Sequence, residues 1–262
     1  MLLVLCGLDD PGALWFARRA VESGLDCSVV TSEALSYVRR ISHQLGRDGV
    51  HTTVELVDGT VLVDELAAGP GGVSGVLNRM LEPPAQAWQY AAPAERDYAA
   101  MELHAVVLSW LHGLRCPVRN RPEPDCLAGP VRHPFVAVAA AHAVGLSCPT
   151  VRFDSAAPLW PADALLAAAA AAAGRPARAV HVVCLDGEVL APEVPEAVAG
   201  GVAAFTTRIG AGEALIGVDF VVGPSGWWFA GLTPLADLRA GGAVLFDRLI
   251  ELLVPGLMVA VP

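Results

Sequence analysis

The sequence contains no lysine; its 17 basic residues are all arginines. That absence excludes chemistry that needs a side-chain primary amine: a Schiff-base nucleophile, a pyridoxal-phosphate lysine, or the phosphate-cradling lysine of a Walker A loop. Positive charge is scarce altogether. Against 27 acidic residues it leaves a formal net charge of −10, which argues against nucleic acid or an anionic membrane as partner, since both demand a positive face. Long apolar runs are missing too, and nothing approaches the ~18 consecutive apolar residues of a spanning helix. The first residues, Met1–Cys6, carry no basic segment and run straight into Asp9 and Asp10. They read as a buried first strand of a cytoplasmic protein rather than as a signal peptide. The six cysteines are accordingly expected as free, mostly buried thiols in a reducing compartment.

With 54% hydrophobic and only 17% charged residues, the chain has ample material for packed cores. A strand over 2–6, a helix over about 11–23 capped by Asp9 or Asp10 with Pro11 in its first turn, and a strand over 25–31 make a βαβ opening. A short helix is expected over 32–41. The alternating segment 52–63 reads as a hairpin turning on Asp58-Gly59, and 67–72 as a loop. Next come a strand over 73–77 ending in Asn78-Arg79, and a long helix over 95–114 with the stripe Leu103, Val107, Trp110, Leu114. Four prolines make 116–132 a rigid irregular loop. Beyond it lie a helix over 134–144, a strand near Thr150, and an alanine helix over 164–173. Two hairpins, 180–191 and 216–229, and a last helix over 243–253 complete the reading.

Four short motifs then follow one another in a recognisable order: Val76-Leu-Asn-Arg79, Arg96-Asp-Tyr-Ala-Ala-Met-Glu102, Pro117-Val-Arg-Asn120-Arg-Pro122, and Ala143-Val-Gly-Leu-Ser-Cys-Pro-Thr150. This order resembles the front half of ATP-grasp ligases of the RimK-like, peptide-modifying type. The segment Gly217-Val-Asp219-Phe-Val-Val-Gly-Pro-Ser-Gly-Trp-Trp-Phe229-Ala-Gly-Leu-Thr-Pro234 resembles the hairpin that carries that family's magnesium ligands, an Asp on one strand and a Glu and an Asn on the other. Asp219 stands where the Asp is expected, but Gly231 and Thr233 occupy the other two positions. A glycine offers no ligand, and a hydroxyl is a poor substitute for a charged one. The family also grips phosphates with lysines on a lid subdomain; this chain has none, and 150–180 is too short for the whole lid.

The resemblance implies an α/β protein, with a Rossmann-like pre-ATP-grasp half over 1–128 followed by a truncated ATP-grasp-like α+β half over 129–262. The ligand is expected in the cleft between the halves. It further implies a degenerate nucleotide site, no cofactor, and binding of a carboxylate-bearing small molecule or peptide in peptide or natural-product modification. The chain would serve as an accessory partner or as an enzyme acting without ATP. Two alternatives stay open: a live ligase in which Asp219 and groups such as Glu213 rebuild the magnesium site, and a structural homodimeric scaffold.

Each candidate residue has two readings. Asn78 and Arg79 end a strand, where α/β sheets bind ligands, so Arg79 either grips a carboxylate or pairs with Glu102 or Asp97. Glu102, next to stripe residue Leu103, is expected to be partly buried, as a general acid or base or as half of an ion pair with an arginine. Arg119, Asn120 and Arg121 form an anion or peptide-carboxylate grip, or else Asn120 satisfies loop backbone while both arginines are solvated; Arg96 is a further candidate for binding the substrate. His112, Cys116, Cys126 and His133 lack the tight spacing of a zinc knuckle. Gly72-Val-Ser74-Gly-Val76 is not a nucleophile elbow, and no Gly-x-Gly-x-x-Gly follows the first strand. Of Trp227 and Trp228, one faces the core and the other a ligand or a dimer contact.

Overall fold

A computed structural model describes residues 1–47, 49–63, 72–152, 163–191 and 193–255. The chain is α/β and divides into two compact units, Met1–Gly129 with Ala243–Pro262, and Pro130–Gly242.

The first unit is built on a parallel sheet in the order β2-β1-β6-β7, with β1 Leu2–Cys6, β2 Cys27–Thr31, β6 Gly75–Arg79 and β7 Val118–Arg119. Every residue of β1 and β6 is buried, which is why both read as unbroken apolar runs rather than alternating ones. Helix α1, Pro11–Glu22, crosses from β1 to β2; Asp10 caps it by accepting from the Ala13 amide at 2.9 Å, with proline in its first turn. The core gathers Leu3, Leu5, Val76, Val107, Trp110 and Leu111, the last three from helix α3, Pro93–Gly113. Gly75 has no alternative, because a β-carbon there would collide with the Leu253 carbonyl.

The expected helix over 32–41 stops early. Helix α2 covers only Ser32–Ser36, and the chain then enters β3, Arg40–Gly46, which pairs antiparallel with β4, Gly49–Glu55. Tyr37, Val38 and Ile41 are poor helix formers and good strand formers, and pairing with β4 over seven residue pairs outweighs the helix propensity of Arg39 and Arg40. The hairpin at Asp58-Gly59 is present: β4 continues into β5, Val61–Val63, completing a three-stranded sheet. The loop expected over 67–72 lies outside the described residues except for Gly72.

The second unit carries an antiparallel sheet ordered β11-β10-β8-β9: β8 Arg178–Leu185, β9 Glu188–Val189, β10 Leu215–Gly223 and β11 Gly226–Thr233. The β8–β9 turn places Asp186 and Gly187 at φ of 52° and 80°, the left-handed geometry a two-residue hairpin needs. Helices α4, Pro134–Ala143, and α6, Glu196–Arg208, share a core with the sheet around Phe205, Phe220 and Phe229. The sequence reading has no counterpart for α6, and Thr150 is not in a strand. Helix α5, Ala164–Ala173, covers the other face with Ala169 and Ala173 on Val221 and Ala230. Trp227 and Trp228 do point to opposite faces, but both are occupied within the unit. Trp227 stacks edge-on against Phe220, and Trp228 packs beside α5 and donates to Ser225 Oγ at 2.9 Å. The last helix, α7, spans Leu238–Leu253 with a break at Gly242 (φ 57°), and beyond the break its Phe246 packs on Phe16. No described helix is long and apolar enough to cross a membrane.

Candidate functional site

In the second unit, β10 and β11 set Asp219 opposite Gly231 and Gly217 opposite Thr233, with a register shift after Asp219. On the other side of β10, Asp219 pairs with His181 of β8. His181 Nδ1 lies 2.7 Å from Asp219 Oδ1, and His181 Nε2 accepts from the Asp237 amide at 2.9 Å. An amide can only donate, so Nε2 is the bare nitrogen and Nδ1 carries the proton given to Asp219. The imidazole lies over Gly217, where any β-carbon would displace it. Asp237 is in turn clasped by Arg239 through two bonds, Nε to Oδ1 at 2.9 Å and Nη2 to Oδ2 at 2.8 Å. That guanidinium holds the Asp237 carboxyl below the usual carboxylate range. The Thr233 hydroxyl accepts from the Leu235 amide at 3.0 Å.

Beside Asp219 opens a cavity of about 580 Å³, with Arg132, Asp163, Leu165, Phe220 and Gly231 in its lining. Arg132 is oriented at its wall by the Ile209 and Val131 carbonyls, at 3.0 and 2.7 Å. Asp219 keeps one carboxylate oxygen without a partner among the described residues. A β-carbon on Gly231 would meet that oxygen, Oδ2, at ordinary van der Waals distance, 3.5 Å. No group of three or more His, Cys, Asp or Glu side chains converges as a metal-holding set among the described residues. Glu213 lies before the first residue of β10, and the strand from Leu215 to Asp219 alone spans ~13 Å.

In the first unit the candidates at the end of β6 are bound up internally. Asn78 is fully buried; its amide donates to the Asn120 and Leu127 carbonyls, and its oxygen accepts from the Met80 amide at 3.3 Å. It ties β6 to the 116–129 loop. Arg79, 2% exposed, pairs with neither Glu102 nor Asp97. Its partner is Asp10, through Nε to Oδ2 at 2.7 Å and Nη2 to Oδ1 at 3.1 Å. The same carboxylate caps α1, so one ion pair fixes strand to helix. Nη1 of Arg79 is buried without a partner among the described residues.

Glu102 is exposed, not partly buried, because the helix turns it away from the buried Val107 and Leu111. Arg96 is half-exposed and only 3.7 Å from its neighbour Asp97. Arg121 donates to the Leu111 carbonyl at 3.1 Å, tying the loop to the end of α3, while Asn120 is buried and Arg119 lies on β7. The four zinc candidates do not converge: His112 bonds to the Pro122 carbonyl, and His133 caps α4. All six cysteines are free.

Sequence reasoning missed His181, Arg132 and Asp237. His181 is a lone polar residue in the apolar run Val180-His-Val-Val-Cys184, which is a signal in itself, but its partner is set by a cross-strand register that sequence does not contain.

No protein-family model matches the sequence, and no curated protein does. Solved structures do match over nearly the whole chain. The macrocyclase MdnC bound with precursor peptide MdnA, from Microcystis aeruginosa MRC, superposes with a TM-score of 0.67 at 10% identity, over 96% of this chain and 98% of that one. The ATP-grasp ligase PsnB complexed with its minimal precursor gives 0.61 at 14% identity, over 95% and 98%. A Chryseobacterium gregarium RiPP-associated ATP-grasp ligase, in complex with ADP and a leader and core peptide, gives 0.51 at 10% identity, over 96% and 92%.

Proposed function

From a chain that carries the fold of peptide-modifying ATP-grasp ligases, we propose a protein of peptide modification that binds a carboxylate-bearing peptide or small molecule without using ATP. The reading rests above all on one observation: directly across from Asp219, where a second carboxylate would have to stand to hold magnesium, there is a glycine. Magnesium demands near-octahedral oxygen coordination, and the γ-phosphoryl chemistry of such ligases depends on it. Here Asp219 has one oxygen engaged by His181, Gly231 has none to give, and the Thr233 hydroxyl already accepts a backbone hydrogen bond. The residues do not fit a magnesium site of the family's kind. The lack of lysine removes the phosphate grip as well.

On this reading the acid end of the ligand meets arginine. Arg119 and Arg121 follow the carboxyl end of the parallel sheet, where α/β sheets bind ligands, and Arg96 opens the motif-bearing helix. Asn78, Arg79 and Asn120 hold that end of the sheet rigid from behind. Any general acid or base role would fall to Glu102.

A second reading, an active carboxylate–amine ligase, draws support from the roughly 580 Å³ cavity beside the open oxygen of Asp219. Thermal melting separates the two. With millimolar Mg·ATP the degenerate reading expects no rise in Tm, and with an acidic peptide a rise that disappears in Arg119→Ala/Arg121→Ala; a nucleotide shift of several degrees instead supports the ligase.

A further inference from the structure

On the first unit a groove of about 600 Å³ runs along the N-terminal half of α3, lined by Trp88, Ala94, Glu95, Tyr98, Glu102 and Leu103. Its shape follows from sequence. Ala94 and Ala99 leave the helix surface low, while the single 3-10 turn Gln86–Trp88 stands the indole up as the opposite wall. That turn is anchored where the Ala87 amide donates to Ser36 Oγ at 2.7 Å, so the wall is held in place.

Two features of the lining are unusual together. Trp88 and Tyr98 are 47% and 64% exposed, which places two aromatic surfaces at the solvent boundary of an apolar groove. Glu95 and Glu102 flank them seven residues apart, two helical turns or ~10 Å along one side. Neither glutamate pairs with an arginine or a histidine among the described residues. Arg96, next in sequence to Glu95, turns to Asp97 instead.

Aromatic surfaces and unpaired carboxylates share one preference, a cation with an apolar stem. We propose that this groove is a docking site for a cationic peptide segment, taking an arginine or lysine side chain of a partner polypeptide between Trp88 and Tyr98 with its head on Glu95 or Glu102. Arginine fits best, since its planar guanidinium stacks on rings while donating to carboxylate. The formal net charge of −10 steers such a partner toward the chain and disfavours a second copy of it. The groove shares α3 and Glu102 with the site proposed for the ligand's acid end, but it takes a cation rather than a carboxylate, and its binding depends neither on Arg119 and Arg121 nor on whether the chain uses ATP.

The test uses the full chain, without nucleotide, and an end-blocked hexapeptide with one arginine between leucines, titrated while the tryptophan fluorescence and the heat of binding are followed. The proposal expects saturable binding that weakens about tenfold when citrulline replaces arginine and by a similar factor in Glu95→Gln/Glu102→Gln. Trp88→Leu keeps the groove apolar, and is expected to weaken binding and remove the fluorescence change. Equal affinity for the citrulline peptide, unchanged binding by the folded double glutamine variant, or no saturable binding at millimolar peptide overturns it. So does concentration-dependent dimerisation abolished by Glu102→Arg, which would assign the groove to a second copy.

Discussion

His181 gives its Nδ1 proton to Asp219 at 2.7 Å and takes the Asp237 amide on Nε2 at 2.9 Å, so a neutral imidazole bridges two strands and the turn after the hairpin. Both ring nitrogens are used, and the tautomer is fixed by a donating amide on one side and an accepting carboxylate on the other. Replacing His181 with Phe leaves the Asp237 amide and one Asp219 oxygen without their partner, at a cost of about 1–3 kcal/mol. Nitrogen-15 spectra at neutral pH are expected to show His181 protonated on Nδ1 alone; an Nε2–H tautomer contradicts the geometry.

The Asp10–Arg79 pair is buried at both ends. Arg79→Met strands a buried carboxylate and is expected to destabilise by about 3–5 kcal/mol, whereas Asp10→Asn/Arg79→Met recovers much of that loss. Arg79→Lys does not restore the two-point contact. Urea midpoints for the parent, Arg79→Met, Asp10→Asn and the double variant measure the coupling. Additive effects of the two single changes would show that the pair does not hold α1 to β6.

The thiols set an alkaline limit on stability. Burial pushes Cys184 from the ordinary 9.0 up to about 12, and Cys6 and Cys148 to about 11. Below pH 9 these thiols are protonated in folded and unfolded chains alike. Above it the unfolded chain ionises first, so it binds fewer protons than the folded one and stability falls as pH rises toward 11–12. Urea unfolding at about pH 8 and about pH 10.5 reads the slope, and Cys184→Ala is expected to reduce it. A flat profile for the parent chain would contradict the burial of these thiols.

Much of this architecture was legible in the residues. The buried strand Leu2–Cys6, the Asp10 cap, the Asp58-Gly59 and Asp186-Gly187 turns and the alanine helix all rest on local chemistry, and each stands where local chemistry put it. Local preference failed at 37–46, where the antiparallel partner that makes β3 a strand lies at 49–55. The candidate site divides the same way. Asp219 could be singled out because the hairpin around it has a pattern, and Asp10 could be read as a cap. That Asp10 is also the partner of Arg79 depends on two parallel strands and the start of α1 coming together, a separation of 69 residues. Glu102 was misplaced because adjacency to Leu103 says little about burial on a helix, where neighbouring residues differ by about 100° in direction.

On the proposed reading, the hairpin bearing Asp219 no longer serves magnesium and ATP. Phosphate release from Mg·ATP by the purified chain, with and without acidic peptide, tests it most directly, alongside Asp219→Ala and Gly231→Glu/Thr233→Asn. The β-carbon that Gly231→Glu adds meets Asp219 Oδ2 at only ordinary contact distance. No release is expected from the parent chain or from Asp219→Ala, and magnesium affinity is expected in the double variant alone. Phosphate release by the parent chain that Asp219→Ala abolishes would contradict it.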